Sequence, residues 1–355
     1  MRKSTIDRRD FLKYTAAIGG GVFMGGGFPL PRMASARPKF TLASTGGSWG
    51  AGNRKVFAEQ SGFEKKFDVE MVYHHQIDAV VVAQAVANKD NPIFDAASAM
   101  LPNAVKMYIA GAAVDGLDMN IVTNWPDIYP QARFKNVLGG FCFLNFGLVY
   151  NTTHVKRPQS YKDLWNPTYK GRVGIPQYGW MGNSWLHGIN KVFGGTEDNT
   201  MPGIEGLADL MKKQKPILVQ NTDHAMKLFT SEELVLMPFW DGRTRMLQGQ
   251  GVPVDFVWAK NFVALFIGML LMRNTKDPKL GMEFVNLSLA PDSQVEFMKI
   301  FKYAPCNRKC TFPSGFEHVR VTEKELENAA DLDWVRVVNN MEKNLELWNK
   351  HVLGA

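Results

Sequence analysis

The chain has 355 residues, with 41 lysines and arginines against 34 aspartates and glutamates, and a formal net charge of +7. Residues 1–36 contribute four of these positive charges, so the rest carries only +3 and has no electrostatic reason to bind nucleic acid. The most apolar later stretch, residues 262–272, is shorter than the roughly 20 residues that a membrane span needs. The length favours two domains, because one hydrophobic core seldom serves so long a chain.

The first segment with a specific signature is Arg8-Arg9-Asp10-Phe11-Leu12-Lys13. Paired arginines ahead of a weakly apolar, glycine-rich stretch are typical of a twin-arginine signal peptide, which exports folded proteins. The segment ends at Ala34-Ser35-Ala36, a small-x-small cleavage site. We therefore expect a mature protein that begins near Arg37 in the periplasm. The alternative is an uncleaved anchor or a loose amphipathic tail.

Behind the signal, short apolar runs alternate with segments of helical periodicity, which predicts an α/β fold. No linker separates the halves, so we expect the chain to pass between two domains more than once. The predicted strands are 40–44, 69–73, 93–98, 146–150, 172–176, 217–219 and 234–239. The predicted helices are 53–67, 78–88, 103–110, 183–193, 203–213, 275–289 and a long charged helix at 326–351.

The chain contains three cysteines. Cys306 and Cys310 are close enough in sequence for a disulfide, which an oxidising compartment would permit, and the sequence leaves this open. Cys142 lies in an apolar run and is expected to be a buried, inert thiol.

A candidate ligand loop follows the first predicted strand: Thr45, Gly46, Gly47, Ser48 and Trp49. Because this loop precedes a helix, its backbone N–H groups, its hydroxyls and an indole can face a ligand. The alternative is a tight turn with Trp49 packed on the core.

A second candidate group follows the strand at 234–239 and consists of Trp240, Asp241 and Arg243. A cationic ligand would contact Trp240 and Asp241, whereas an anion would contact Arg243. The alternatives are core packing for Trp240 and a local ion pair between Asp241 and Arg243.

Several local patterns occur in a fixed order over most of the chain: residues 44–49 (STGGSW), 146–151 (FGLVYN), 165–173 (WNPTYKGRV), 239–243 (FWDGR), 251–254 (GVPV), 283–287 (EFVNL), 290–294 (APDSQ) and 303–305 (YAP). Together they resemble the spermidine/putrescine-binding protein family, the periplasmic components of ABC importers. The resemblance implies a two-lobed type II periplasmic binding protein fold, with a mixed sheet and flanking helices in each lobe. It also places Tyr178 and Trp180 in a ligand loop. The alternative is a turn permitted by glycine, with these aromatic side chains on the surface of the core.

The resemblance implies that the lobes close on a small solute and deliver it to the permease transmembrane subunits. We expect lobe 1 to comprise residues 38–146 plus 265–305, and lobe 2 to comprise 147–264 plus 306–355. A monomer is expected, and catalytic residues, cofactors and metals are not.

The chain departs from the family at the polyamine site. Gln177, Tyr178 and Met181 stand where the family has acidic residues, and residues 265–267 stand where it has a tryptophan and an aspartate. A buried ammonium without a carboxylate costs several kcal/mol, so a small organic anion fits at least as well as a polyamine. Partial substitutes for the missing acids are Asp78, Asp223 and Asp241.

Other classes of site have less support. The pair His74-His75 directly follows the predicted strand 69–73. Adjacent side chains on a strand point to opposite faces, so this pair is not expected to share a metal. Tyr178 or Tyr303 alone does not make the tyrosine pair of the ferric-iron binders. An exported oxidoreductase or hydrolase is the alternative function, although the chain has no CxxC, HExxH or Gly-x-Ser-x-Gly motif.

Overall fold

The computed structural model describes residues 37–354, so the signal segment and its cleavage site lie outside the described residues. Within this range the strands are β1 Lys39–Ser44, β2 Glu70–His75, β3 Ala96–Met100, β4 Arg133–Phe134, β5 Leu138–Asn151, β6 Gly174–Pro176, β7 Ile217–Val219, β8 Leu236–Trp240, β9 Val254–Val257 and β10 Val263–Leu271. The α-helices are Gly47–Arg54, Phe63–Phe67, Asp78–Ala87, Leu101–Ile109, Asn183–Val192, Met201–Gln214, Thr222–Thr230, Asp241–Gly249, Pro278–Ser288, Pro291–Phe301, Glu323–Leu326, Trp334–Asn339 and Met341–Leu347. Shorter π and 3₁₀ turns connect several of these helices.

Eight strands form one mixed sheet, with the order β2-β1-β3-β10-β5-β4 and with β8 and β9 also paired to β5. β1 runs parallel to both β2 and β3, whereas β10 runs antiparallel to β3 and β5. A separate two-stranded parallel sheet consists of β6 and β7. It lies beside β8, because Val173, the residue before β6, forms a parallel bridge with Leu236 of β8. The carboxyl ends of β1, β2 and β3 therefore meet at one edge of the sheet.

β5 is the strand that connects the two halves of the large sheet. All 14 of its residues are buried. It pairs with β10 over residues 140–146, and with β8 and β9 over residues 146–151. Gly147 is required at this crossing, because a Cβ there would lie 2.6 Å from the Phe256 ring and from the Val257 carbonyl oxygen.

Helix starts follow local capping chemistry. The side chain of Asn221 accepts a hydrogen bond from the backbone N–H of His224, and Asp277 accepts one from Leu280 ahead of Pro278. Both caps satisfy N–H groups that the first helical turn leaves without partners.

Three predicted elements differ most from the structure in extent, whereas the bounds of the others shift by a few residues. β5 begins eight residues before the predicted strand at 146–150, because the glycine-rich segment ahead of it is extended instead of turning. The long helix predicted at 326–351 is broken. It starts again at Trp334, where Asp333 provides a cap, and it is interrupted at Asn340. The helix predicted at 53–67 starts earlier, at Gly47, and is divided by Gly62.

The three cysteines are buried free thiols, and burial raises the pKa of each. Cys306 and Cys310 belong to a segment that is held by hydrogen bonds to residues 127–129 and 289–294. In the part of the chain that the structure covers, no helix combines the length and the apolar character needed to cross a membrane.

Candidate ligand-binding site

A cavity of about 520 Å³ lies between helices at the β2 and β3 edge of the large sheet and the segments that follow β6, β7 and β8. This volume suits a small organic ligand. Its lining residues are Asp78, Ala79, Val82, Met100, Pro102, Asn103, Lys106, Gly179, Trp180, Met181, Asn183, Ser184, Thr222, Trp240 and Met341.

One side of the cavity carries charge, and we call Asp78, Asn103 and Lys106 the charged wall. Asp78 starts the helix that follows β2, whereas Asn103 and Lys106 lie on the helix that follows β3. The Asp78 carboxylate accepts a hydrogen bond from the Thr45 hydroxyl at 2.8 Å and one from the Asn103 amide at 3.2 Å. Residues that follow three adjacent parallel strands are thus joined at one sheet edge.

The opposite side is neutral, and we call Trp180, Met181, Asn183, Ser184, Thr222 and Trp240 the aromatic wall. The Trp240 ring packs edge-on against Phe146 of β5, with 4.8 Å between ring centroids. Trp180 is half-buried and lies 6.3 Å from both Phe146 and Phe239 by the same measure. The wall therefore offers π-faces held by core aromatic rings, together with amide and hydroxyl groups.

Of the ten expected ligand residues, Trp180 and Trp240 line this cavity, and Thr45 reaches it through Asp78. Gly46 and Gly47 begin the helix after β1, and Ser48 is exposed there. Trp49 packs against the aromatic rings of the helix Pro291–Phe301, with centroid distances of 5.0 Å to Phe297 and 4.9 Å to Phe301. For Trp49 the structure thus matches the core-packing alternative.

Asp241 is fully buried and does not face the cavity. Its carboxylate pairs with Arg245 at 3.2 Å and accepts hydrogen bonds from the Asn145 amide and the Gly242 backbone N–H. Burial raises the pKa of Asp241, and Arg245 opposes that rise. The ion pair weighed from the sequence, Asp241 with Arg243, is replaced by a pair one helical turn apart, because residues i and i+4 share a helix face.

Arg243 and Tyr178 also make contacts within the protein. Arg243 lies beside the hydroxyl of Tyr303, with its Nη1 3.2 Å from Met246 Sδ. The Tyr178 hydroxyl donates a hydrogen bond of 2.6 Å to the Met341 carbonyl, and burial raises the pKa of this tyrosine. Tyr178 thus anchors the C-terminal helices beside the cavity.

Sequence reasoning missed Asn103 and Lys106 and gave Asp78 only a substitute role. The sequence contains a signal for these residues, because the predicted helices at 78–88 and 103–110 both follow predicted strands. Their first residues lie at the same sheet edge as Thr45. Ligands of α/β proteins bind outside the carboxyl ends of such strands.

A buried histidine lies on the helix Asn183–Val192, which contributes Asn183 and Ser184 to the aromatic wall. His187 is almost fully buried, and desolvation lowers its pKa to about 4. Its Nε2 lies 3.5 Å from the amide nitrogen of Asn344. The interior behind this wall therefore favours the neutral imidazole. Between residues 37 and 354, no group of three histidine, cysteine or acidic side chains is placed to hold a metal ion.

The mixed sheet with flanking helices, the crossing strand and the cavity between two unlike walls correspond to a two-lobed α/β fold. The family model for bacterial extracellular solute-binding proteins matches residues 55–317. The chain therefore belongs to this family, and the resemblance seen in the sequence is confirmed together with the predicted fold class. The lobe boundaries stay a prediction.

Similar proteins agree with this assignment. The spermidine/putrescine-binding periplasmic protein of Escherichia coli K12 is 24% identical over 155 residues, which are 43% of this chain and 44% of that protein. The match thus spans less than half the length of this relative. An ABC transporter structure from Clostridium perfringens superposes with a TM-score of 0.77 at 19% identity, covering 88% of this chain and 99% of the other. A protein from Bordetella parapertussis, described as an extracellular solute-binding protein, gives 0.75 at 20% identity, with coverages of 88% and 98%.

Proposed function

We propose that this chain is the solute-capturing component of an ABC importer and binds a small polar solute in the cavity between the charged and aromatic walls. The observation that carries the proposal is the cavity itself, whose lining comes from segments on both sides of the crossing strand β5. The family membership and the fold support it.

Capture would occur by closure of the two walls about the strands that connect them. β5 is continuous through both halves of the sheet, and β9 leads to β10 across the same place. A small twist distributed over these strands would move the walls without breaking either core. The ligand would then select the closed form, which the permease recognises.

The proposal includes the two lobes. Lobe 1 comprises residues 38–146 plus 265–305, and lobe 2 comprises residues 147–264 plus 306–355.

We also propose export through the twin-arginine pathway, which is supported by Arg8 and Arg9 ahead of the glycine-rich stretch. Changing both arginines to lysine should retain the precursor in the cytoplasm of the producing cell. Unchanged export of this variant would contradict the pathway but not the binding function.

The binding function is tested by a thermal-shift screen against polyamines, small dicarboxylates, amino acids, phosphonates and ferric salts. A ligand at about 100 times its dissociation constant stabilises the native state by about 2.7 kcal/mol, which raises the melting temperature by several degrees. A matched pair of variants locates the site. Ala79→Trp fills the cavity and should abolish the shift, whereas Ala87→Trp, exposed on the same helix, should preserve it. A full shift with Ala79→Trp would place binding elsewhere.

A further inference from the structure

The cavity lining contains two charged side chains among the residues that the structure describes, Asp78 and Lys106, and they have opposite signs. Both belong to the charged wall. Asp78 accepts its hydrogen bonds from the neutral donors Thr45 and Asn103. Over residues 37–354, the ammonium of Lys106 has no carboxylate within 4.0 Å. The carboxylate and the ammonium thus face one cavity without pairing with each other.

Lys106 is also half-buried on a helix whose neighbouring residues are mostly in the core. An ammonium in this setting has lost part of its hydration without gaining a counter-ion, which is unfavourable until an anion binds. Such a group is therefore available for a ligand, whereas a lysine in an ion pair is not.

The aromatic wall adds no formal charge to this arrangement. Its side chains are tryptophan, methionine, asparagine, serine and threonine. They can cover an apolar chain and donate or accept hydrogen bonds, but they cannot neutralise a second ligand charge. The charge preference of the cavity is consequently set by Asp78 and Lys106.

We propose that the cavity selects zwitterions of the amino acid class, with the ligand ammonium at Asp78, its carboxylate at Lys106 and its carbon chain against Trp180 and Trp240. This inference rests on the proposed binding function and names the substrate class of that site. A diamine would place its second ammonium near Lys106, and a dicarboxylate would place one carboxylate near Asp78. Each would suffer a like-charge repulsion that a zwitterion avoids.

The test measures dissociation constants of the full chain by titration calorimetry with ligands of matched length. The probes are 5-aminopentanoate, 1,5-diaminopentane and glutarate, which share a five-carbon chain and differ in end groups. A homologous series from glycine to 6-aminohexanoate finds the preferred separation of the charges. We expect the best zwitterion to bind at least about tenfold more tightly than the diamine or the dicarboxylate.

Two variants of Lys106 and one of Asp78 distinguish an effect of charge on ligand affinity from a general loss of folding. Lys106→Glu should reverse the preference, weakening the zwitterion and strengthening 1,5-diaminopentane by about tenfold each. Lys106→Gln should remove the preference for the zwitterion over 1,5-diaminopentane without adding a charge, whereas glutarate should stay weak because Asp78 is unchanged. Asp78→Asn should weaken the zwitterion and favour glutarate. The control is Lys156→Glu, an exposed change of equal charge away from the cavity, which should leave every constant unchanged.

The outcomes distinguish this inference from the function on which it rests. Reversal by Lys106→Glu, but not by Lys156→Glu, supports the zwitterion assignment. Tight binding of a diamine or a dicarboxylate to the wild type, insensitive to Lys106, overturns the assignment and leaves the solute-binding function intact. If all the probes and the broader solute panel fail to bind, both the assignment and the proposed function are wrong.

Discussion

The two walls of the cavity differ in whether their charged groups have ion-pair partners. The charged wall presents Asp78 and Lys106 without ion-pair partners. Behind the aromatic wall, Asp241 is fully buried and paired with Arg245, so the surface facing the cavity is neutral. Two aspartates that start helices after β-strands thus have different environments. A carboxylate at a strand end is therefore available to a ligand only when the fold gives it no cation.

The largest expected effect distinguishes these two aspartates by stability. Arg245→Met would leave the Asp241 carboxylate buried without its cation, and we expect the free energy of unfolding to fall by about 3–5 kcal/mol. Asp78→Asn should change it by less than about 0.5 kcal/mol, because Asp78 is exposed and has no ion pair. Urea denaturation of both variants measures the difference.

A double variant controls for lost packing by the Arg245 side chain. Asp241→Asn combined with Arg245→Met removes both charges, and it should regain a large part of the stability that Arg245→Met loses. The unpartnered oxygen of Asn145 can then accept from the new amide. A double variant as unstable as Arg245→Met would show that the pair matters for its shape and not for its charge.

Part of the aromatic wall could be predicted from the sequence. Trp180 and Trp240 follow strand patterns and lie at the cavity. Asp241 has equal sequence support, but its orientation depends on contacts with Asn145, which is 96 residues away. The i,i+4 spacing of Asp241 and Arg245 is a local signal for this ion pair, whereas Arg243, two residues from Asp241, lies on a different face of the helix.

The charged wall could not be predicted without knowing the order of the strands in the sheet. Thr45, Asp78 and Asn103 are far apart in sequence, and they meet because β1 lies between β2 and β3. Alternating strands and helices predict a parallel sheet but not which strands are neighbours. The length of β5 was missed for a similar reason, since its glycines gain their extended conformation from pairing with β4 and β10.

A second test concerns charge behind the aromatic wall. His187 has a pKa of about 4, below its ordinary value of 6.5, because burial disfavours the imidazolium. The unfolded chain therefore binds a proton more readily than the native state. Stability due to the neutral imidazole is present above pH 6.5 and is lost as the pH falls toward 4. Between pH 7 and pH 4.5 we expect a loss of about 2–3 kcal/mol from this group.

Denaturation of wild type and His187→Gln at both pH values checks this expectation. The variant lacks the titrating group and keeps a side chain that can bond to Asn344. Its loss on acidification should be smaller by that amount. Glu197, a nearby acid whose pKa lies below its ordinary value, is present in both proteins, so its titration does not account for a difference between them. Equal acid sensitivity of the two proteins would mean that His187 is protonated in the native state.

The smallest expected effect concerns ligand affinity at the aromatic wall. Trp180→Ala removes a half-buried π-face from the cavity, and we expect affinity for every ligand class to fall by about tenfold, or about 1.4 kcal/mol. Trp180→Phe should keep most of the affinity because it keeps an aromatic face. The ratio of zwitterion to diamine affinity, measured by calorimetry, should stay constant in both variants, since neither changes a charge. If Trp180→Ala altered that ratio as strongly as Lys106→Glu, selection by charge and attraction by aromatic surface would not be separate properties of the two walls.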